Sequence, residues 1–379
     1  MKVGVFYPPL NYYGGATAVT VCTVNALADK GYEVLLYVEN EVCNKEIAEM
    51  MGDPLNSKVR ILVVPTIFKP RWLLDLYQNG FRSLFLKYKC DLLIDIFTNF
   101  LYPWTDVVYI HYPGPYLKPK SGYDIINYPI TLLSRALKDS RKRLIIANSY
   151  FTAHAIKKTL NMDAVVVYPP VDPAFFAKEN EAVTKRENLA VSVGRINFDK
   201  RLETLPYIAH LTKSDANFAI VGFVHDKTAY ELIVSEARRF HLENRFTILT
   251  DLTKKNVVSI LRKAKVYLHP PVMEHFGISI AEAMAAGCIP IVYDCGGVNE
   301  FVPAEYRYHD LEDAAKKVDK AIESWSVKKS RKMVEIAQKF TTKAFSNEFS
   351  KVFSEFVESS SHPLTLYDFY KPTTSYLFE

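Results

Sequence analysis

The chain has 379 residues, enough for two domains of ordinary size. Hydrophobic residues make up 49% and aromatic residues 13%, which excludes a long disordered chain because so much apolar surface can be buried. The net charge of +5 suits an anionic small ligand or an anionic membrane surface and does not by itself imply nucleic acid.

The cysteines (Cys22, Cys43, Cys90, Cys288 and Cys295) are odd in number and include no C-x-x-C pair. A disulfide framework or a structural zinc site is therefore not expected, and they read as reduced thiols of a cytosolic protein. The opening MKVGVFYPP reads as a first strand, not a secretion signal. The longest apolar candidate, Leu92 to Tyr112, is broken by Asp95, Asn99, Pro103 and Asp106, so no membrane-spanning helix is expected.

Along the chain, short apolar runs alternate with helix-like segments. Strands are predicted at Lys2–Tyr7, Glu33–Val38, Lys58–Val64, Leu92–Phe97, Val107–His111 and Arg143–Asn148, with a helix over Gly14–Lys30. The proline-rich Tyr168–Pro173 and the polar run Lys178–Asn188 form the best linker. Beyond it, strands at Leu189–Val193, Asn217–Val221, Arg245–Leu249, Lys265–Leu268 and Ile289–Tyr293 alternate with helices at Arg201–Lys213, Ala229–Phe240, Lys254–Lys263 and Ile278–Gly287. Near-continuous apolar strands between helices mark buried parallel sheets, so the expectation is an α/β protein with two doubly wound units. Thr341–Val357 reads as an amphipathic helix with Phe345, Phe349, Val352, Phe353 and Phe356 on its apolar side, and the stretch from Pro363 to Glu379 is aromatic.

Ligands in open α/β sheets sit at the carboxyl ends of the strands, so the loops there matter most. The strongest signal is Glu274-His275-Phe276-Gly277-Ile278 leading into a helix that carries Glu282. The amides of Phe276, Gly277 and Ile278 would project from the helix N-terminus as an anion site, and the two carboxylates can accept hydrogen bonds from vicinal hydroxyls. A second signal is Gly194-Arg195 through Lys200 after a strand, a fork and a point charge of the kind that suits a diphosphate. Gly14-Gly15 permit close backbone approach to an anion, and they equally describe a tight turn. His111, at a strand end, could bond a substrate hydroxyl or be a structurally bonded histidine; His269 and His275 read as structural. No G-x-G-x-x-G fingerprint, no metal-ligand histidine spacing and no D-x-D motif occurs.

The stretch from Lys69 to Lys89, with Arg71, Trp72, Leu73, Leu74, Leu76, Tyr77, Phe81, Arg82, Leu84, Phe85, Lys87 and Tyr88, is basic and aromatic. It reads equally as a segment resting on anionic headgroups and as a packed helix with a solvated face. A second cationic cluster comprises Arg135, Lys138, Arg141, Lys142 and Arg143.

Taken together, the Gly14-Gly15 loop, Asn148-Ser149-Tyr150-Phe151-Thr152, Tyr168-Pro169-Pro170-Val171-Asp172, Gly194-Arg195 with Lys200, the E-x7-E element and the late Phe340–Val357 helix resemble, over nearly the whole chain, the retaining nucleotide-sugar glycosyltransferases of the GT-B family numbered 4. Tyr109-Ile110-His111-Tyr112-Pro113 and Glu274–Ile278 with Met284–Gly287 are most similar to the subgroup of α-1,2-mannosyltransferases that extend a dolichol-linked N-glycan core.

The resemblance implies a GT-B fold: an acceptor-binding Rossmann-like domain over residues 1–170, a nucleotide-sugar domain over 171–345, and a helix and tail over 346–379 that cross back to the first domain. It implies transfer of a hexose, mannose or glucose, from GDP-mannose or a UDP-sugar to a saccharide or polyprenyl-linked acceptor, with no other cofactor and no metal. Arg195 and Lys200 would neutralise the leaving diphosphate, helped by Gly15 and the amides of Phe276–Ile278. Glu282 would hold the ribose, Glu274 the donor sugar, His111 the region near the reacting carbon, and the backbone around Leu249–Leu252 the base. Gly14 and Gly194 complete the donor loops. The family's usual glycine after the first glutamate is His275 here. The expected setting is cytoplasmic, with peripheral contact to an anionic membrane face and no nucleic-acid partner. A nicotinamide-dependent oxidoreductase, a non-catalytic membrane-associated scaffold and a carbohydrate phosphorylase are the rivals; the first lacks its glycine fingerprint and the last its pyridoxal-lysine signature.

Overall fold

The computed structural model describes residues 1–10, 14–40, 54–64, 75–117, 122–139, 142–177 and 186–361. Residues 69–74 of the basic aromatic stretch, 178–185 of the expected linker, Cys43, Arg141 and the stretch from 363 onward lie outside them.

The first half runs β1 (Lys2–Phe6), α1 (Gly15–Asp29), β2 (Glu33–Val38), β3 (Val59–Val63), α2 (Asp75–Lys87), β4 (Leu92–Asp95), β5 (Val107–Ile110), α3 (Gly122–Leu137), β6 (Leu144–Ala147), α4 (Tyr150–Leu160) and β7 (Val165–Val166). Its parallel sheet has the order β3-β2-β1-β4-β5-β6-β7. The second half runs β8 (Glu187–Val193), α5 (Leu205–Leu211), β9 (Asn217–Gly222), α6 (Lys227–Arg239), β10 (Phe246–Thr250), α7 (Lys254–Lys263), β11 (Ala264–His269), α8 (Ile278–Ala285), β12 (Ile289–Tyr293), β13 (Arg307–Tyr308), α9 (Leu311–Glu323), α10 (Val327–Ala337) and α11 (Thr342–Ser361). Its parallel sheet has the order β10-β9-β8-β11-β12-β13. The strand order reverses between β1 and β4 and again between β8 and β11. Chain leaving those strand ends diverges to opposite faces, so a crevice opens there. The loops carrying Gly14-Gly15, Arg195 and Glu274 all follow switch-point strands.

The predicted strands and most predicted helices are present, and both sheets are buried between helices because their strands are apolar on both faces. The expected helix from Arg201 to Lys213 is shorter. Phe198–Lys200 and Leu202–Thr204 are separate 3-10 turns, and α5 begins only at Leu205. Arg201 sits in the left-handed region with φ 49°, which breaks a continuous helix, and Pro206 is tolerated only in a first turn. Helix α3 contains Pro129 in its interior, a residue that masks a helix in sequence.

The last helix returns to the first sheet. Phe345, Phe349, Val352, Phe353 and Phe356 are buried in one cluster with Val3, Val5, Val19 and Leu36 of the first half. Phe349 stacks between Phe345 and Phe353, with ring centres 5.8 and 5.9 Å away. The cysteines at 22, 90, 288 and 295 are free. Among the described residues no helix is long and apolar enough to cross a membrane.

Phe349 is buried in the contact between α11 and the first half. Phe349→Ala is expected to cost about 3 kcal/mol of stability in urea unfolding; a loss below about 1 kcal/mol would show that α11 is only loosely attached.

Candidate functional site

The site begins with the loop after β11. Gly277 has φ +90° and caps α8, a backbone state that glycine adopts without strain. A Cβ there would lie 3.0 Å from Cγ of Glu274. The ladder of α8 starts with Ile280 and Ala281 bonding back to the carbonyl of Gly277, so the amides of Phe276, Gly277 and Ile278 precede it and form the positive end of the helix dipole. The Phe276 ring itself is core, packed on Tyr168, Phe301 and Phe340. Glu282, one turn in, is 8% exposed.

Glu274 is the electrostatic centre. Lys200 Nζ reaches its Oε2 at 3.2 Å and His269 Nε2 the same oxygen at 3.1 Å. Burial alone would raise the carboxyl, yet the His269 hydrogen bond and the Lys200 charge hold it well below the usual carboxylate range. Burial pushes His269 down, so a neutral imidazole donates to an ionised Glu274. His269, which the sequence marks as structural, supports the site directly. Arg195 is exposed at the end of β8, and Gly194 leaves ordinary space beside the Lys200 stem. Leu249, in β10, and Leu252, just beyond it, are half-buried and packed on the core of the second sheet.

The first sheet contributes from the opposite side. A Cβ on Gly15 would come within 2.2 Å of Ile278 Cδ1, so the Gly14-Gly15 loop abuts the start of α8. His111 directly follows β5 with its Nε2 3.0 Å from the carbonyl of Ile96. A carbonyl accepts only, so the proton is on Nε2 and Nδ1 remains the acceptor. The expected substrate contact is thus confined to one nitrogen of a tethered ring. Burial, reinforced by the charge of His275, lowers His111 to about 4. Asn99, at φ 56°, holds the strand end by accepting from the amides of His111 and Tyr112 at 2.6 and 3.3 Å.

The two halves meet through residues adjacent to the candidates. Tyr112 stacks on His275 with ring centres 3.9 Å apart. Ser149 Oγ donates to the His275 carbonyl at 2.7 Å, while within the first half Thr152 Oγ1 donates to the His111 carbonyl at 3.2 Å. Glu300, from the second half, accepts from the amides of Tyr150 and Phe151 at the start of α4 at 3.1 and 2.8 Å, and from Tyr168 Oη at 2.9 Å. Burial and the adjacent Glu300 charge raise the Tyr168 hydroxyl far above its ordinary value. The Glu274 loop is also braced from behind. Gly297 donates its amide to the Glu274 carbonyl at 2.8 Å, and side chains at Gly296 or Gly297 would collide with the Glu274–His275 backbone. The pair Gly296-Gly297 after a strand is the signal that could have found this brace.

Because folded His111 binds its proton only near pH 4 and an unfolded histidine near 6.5, the unfolded chain takes up the extra proton between those values. This contribution to stability is present above about pH 6.5 and is lost as pH falls toward 4. His111→Gln should remove on the order of 2 kcal/mol of that loss. Urea unfolding of both chains at about pH 7 and pH 4.5 checks it; identical pH dependence in the two would contradict the buried neutral imidazole.

Residues 174–340 match the family described as Glycosyl transferases group 1. The GDP-Man:Man(3)GlcNAc(2)-PP-Dol alpha-1,2-mannosyltransferase of Dictyostelium discoideum is 24% identical over 275 residues, 64% of this chain. The match spans about half, 53%, of that relative's own length. The alpha-1,3/1,6-mannosyltransferase ALG2 of Saccharomyces cerevisiae is 23% identical, with 79% of this chain and 71% of the relative covered. Among solved structures, Anabaena Alr3699/HepE in complex with UDP and glucose superposes with a TM-score of 0.70 at 16% identity, covering 94% of this chain and 100% of that one. The fold is GT-B, two Rossmann-like units with a terminal helix crossing back. The match to the glycosyl transferases group 1 family falls on the second unit, which holds Arg195, Lys200, Glu274 and Glu282.

Proposed function

We propose that this chain transfers a hexose, mannose by preference, from a nucleoside-diphosphate sugar to a lipid-linked saccharide. The observation that carries the reading is the ionised Glu274 pinned by Lys200 and His269 at the foot of α8, stacked through His275 against the His111 loop of the other sheet. The names of the mannosyltransferase relatives favour mannose and GDP as the donor parts. In this reading residues 1–170 hold the acceptor, 171–345 the donor, and 346–379 tie the second half back to the first.

Arg195, Lys200 and the amides of Phe276–Ile278 take the diphosphate, with Gly15 closing over it. Glu282 takes the ribose hydroxyls, Glu274 the sugar hydroxyls, and the backbone around Leu249 and Leu252 the base. As the bond from C1 to the diphosphate oxygen breaks, negative charge gathers on that oxygen, and preorganised cations and amides lower the barrier most there. The acceptor hydroxyl bonds to C1 on the face the diphosphate leaves, its proton passing to a phosphate oxygen, so the anomeric configuration is retained. Lys200 is engaged by Glu274 in the free protein, which keeps both side chains oriented before the donor arrives. With cations and amides supplied by the chain, this chemistry calls for no bound metal.

Arg195→Ala and Glu274→Ala are each expected to cut turnover about a hundredfold or more with the fold intact, as read by transfer from GDP-mannose to a lipid-linked acceptor and by the melting curve. Near-normal turnover in either would remove that residue from the site. GDP-mannose should raise the melting temperature of the wild type more than UDP-glucose does; the reverse order would assign the donor to the uridine series. NMR of the product should show the anomer of the donor, and chelation by EDTA should leave the rate unchanged. An inverted product would overturn the same-face mechanism, and loss of activity restored by a divalent ion would overturn the metal-free clamp.

A further inference from the structure

His111 is held by a turn that carries no candidate residue of its own. Asp95 ends β4 with its side chain wholly buried. Its Oδ1 accepts from the amides of Phe97 and Thr98, both at 2.9 Å, and Thr98 Oγ1 donates to its Oδ2. Thr98 Oγ1 in turn accepts from the amide of Phe100 at 3.2 Å. These bonds fold residues 95–99 into a tight turn in which a side-chain carboxylate replaces a backbone acceptor. The amide of Ile96 is tied to β1 through the Phe6 carbonyl at 3.3 Å. The turn therefore delivers two acceptors to the end of β5. The Ile96 carbonyl takes Nε2–H of His111, and Asn99 Oδ1 takes the amides of both His111 and Tyr112. Asn99 makes these bonds from φ 56°, a backbone state that asparagine, aspartate and glycine adopt far more easily than other residues.

One oxygen thus fixes two neighbours with different tasks. His111 presents Nδ1 as its acceptor, whereas Tyr112 stacks on His275, the residue next to Glu274, with ring centres 3.9 Å apart. The side chains assigned to the donor (Arg195, Lys200, Glu274 and Glu282) all belong to the second half. The placement of His111 against them therefore passes through this junction. We propose that Asn99 is a positioning residue for sugar transfer: by holding the amides of His111 and Tyr112 on one side-chain oxygen, it sets where His111 stands relative to Glu274. The proposal deepens the glycosyl-transfer reading and rests on it. A residue that acts on His111 and leaves the donor groups untouched changes turnover more than donor affinity. A purely structural residue lowers the melting temperature and leaves the kcat of the folded enzyme alone.

Two substitutions separate the parts of Asn99. Asn99→Gly keeps the positive φ and removes the acceptor; Asn99→Asp keeps both. With GDP-mannose and a lipid-linked saccharide, Asn99→Gly should lower kcat on the order of tenfold to a hundredfold at nearly wild-type KM for GDP-mannose, and Asn99→Asp should recover most of the loss. Thr98→Val loosens the same turn without touching Asn99 and should lower kcat in the same sense, which keeps the test decisive if Asn99→Gly does not fold. Hydrogen exchange of a peptide containing His111 and Tyr112, followed by mass spectrometry, needs no transfer activity. Its exchange should quicken about tenfold in Asn99→Gly and stay near wild type in Asn99→Asp. Unchanged exchange in Asn99→Gly, a fall in kcat that Asn99→Asp does not recover, or a lowered melting temperature at unchanged kcat would overturn the proposal. A wild type that transfers no mannose, while Asn99→Gly still loses protection at these two amides, would overturn the glycosyl-transfer reading and support the anchor.

Discussion

The contact on which the rest of the site depends is the meeting of the His111 and Glu274 loops through Tyr112 and His275. Each loop by itself is a strand end with polar side chains. Stacked at 3.9 Å, with Ser149 bonded to the His275 carbonyl, they become two walls of one cleft. Glu300 reinforces this apposition by capping α4, a helix of the other half. A carboxylate at a helix N-terminus gains from both the amide hydrogen bonds and the dipole. The halves are therefore joined by directional polar contacts and not only by the linker.

Within the second half, electrostatics and backbone geometry work together. Glu274 is part-buried yet ionised because Lys200 and His269 share one of its oxygens. Its backbone is held from behind by Gly296-Gly297, at separations no side chain would permit, and Gly277 lies in front against its side chain. The position of the charge is thus determined by packing as much as by charge pairing. His275, where the resembling family has glycine, gives its side chain to the inter-domain stack and its carbonyl to Ser149. One departure from the family pattern serves the junction between the halves.

The outer surface follows a different logic. Where a soluble helix buries its apolar stripe, α3 buries Asn127, Thr131 and Ser134 and presents Ile125, Leu132 and Leu133. Buried polar groups cost free energy unless bonded; Ser134 bonds to the Leu101 carbonyl and Tyr116 Oη, and Thr131 Oγ1 donates to the Asn127 carbonyl of the same helix.

Periodicity and strand composition determined the two doubly wound units, because a strand buried on both faces must be apolar along its length. The glycine and charge spacing also named the loops of the site, since only strand ends at a switch point can gather such residues. The α11 contacts were legible as the positions of its phenylalanines. Tertiary structure decided the rest. It joined Lys200 and His269 to Glu274, tethered His111 to Ile96, and set Glu300 on α4 from a distant part of the chain. None of these pairings has a local signal, because partners far apart in sequence meet only when two sheets and their helices have packed. The same holds for α3. Its residues show that one side is apolar and the other polar, but which side faces water was settled by what lay beneath it.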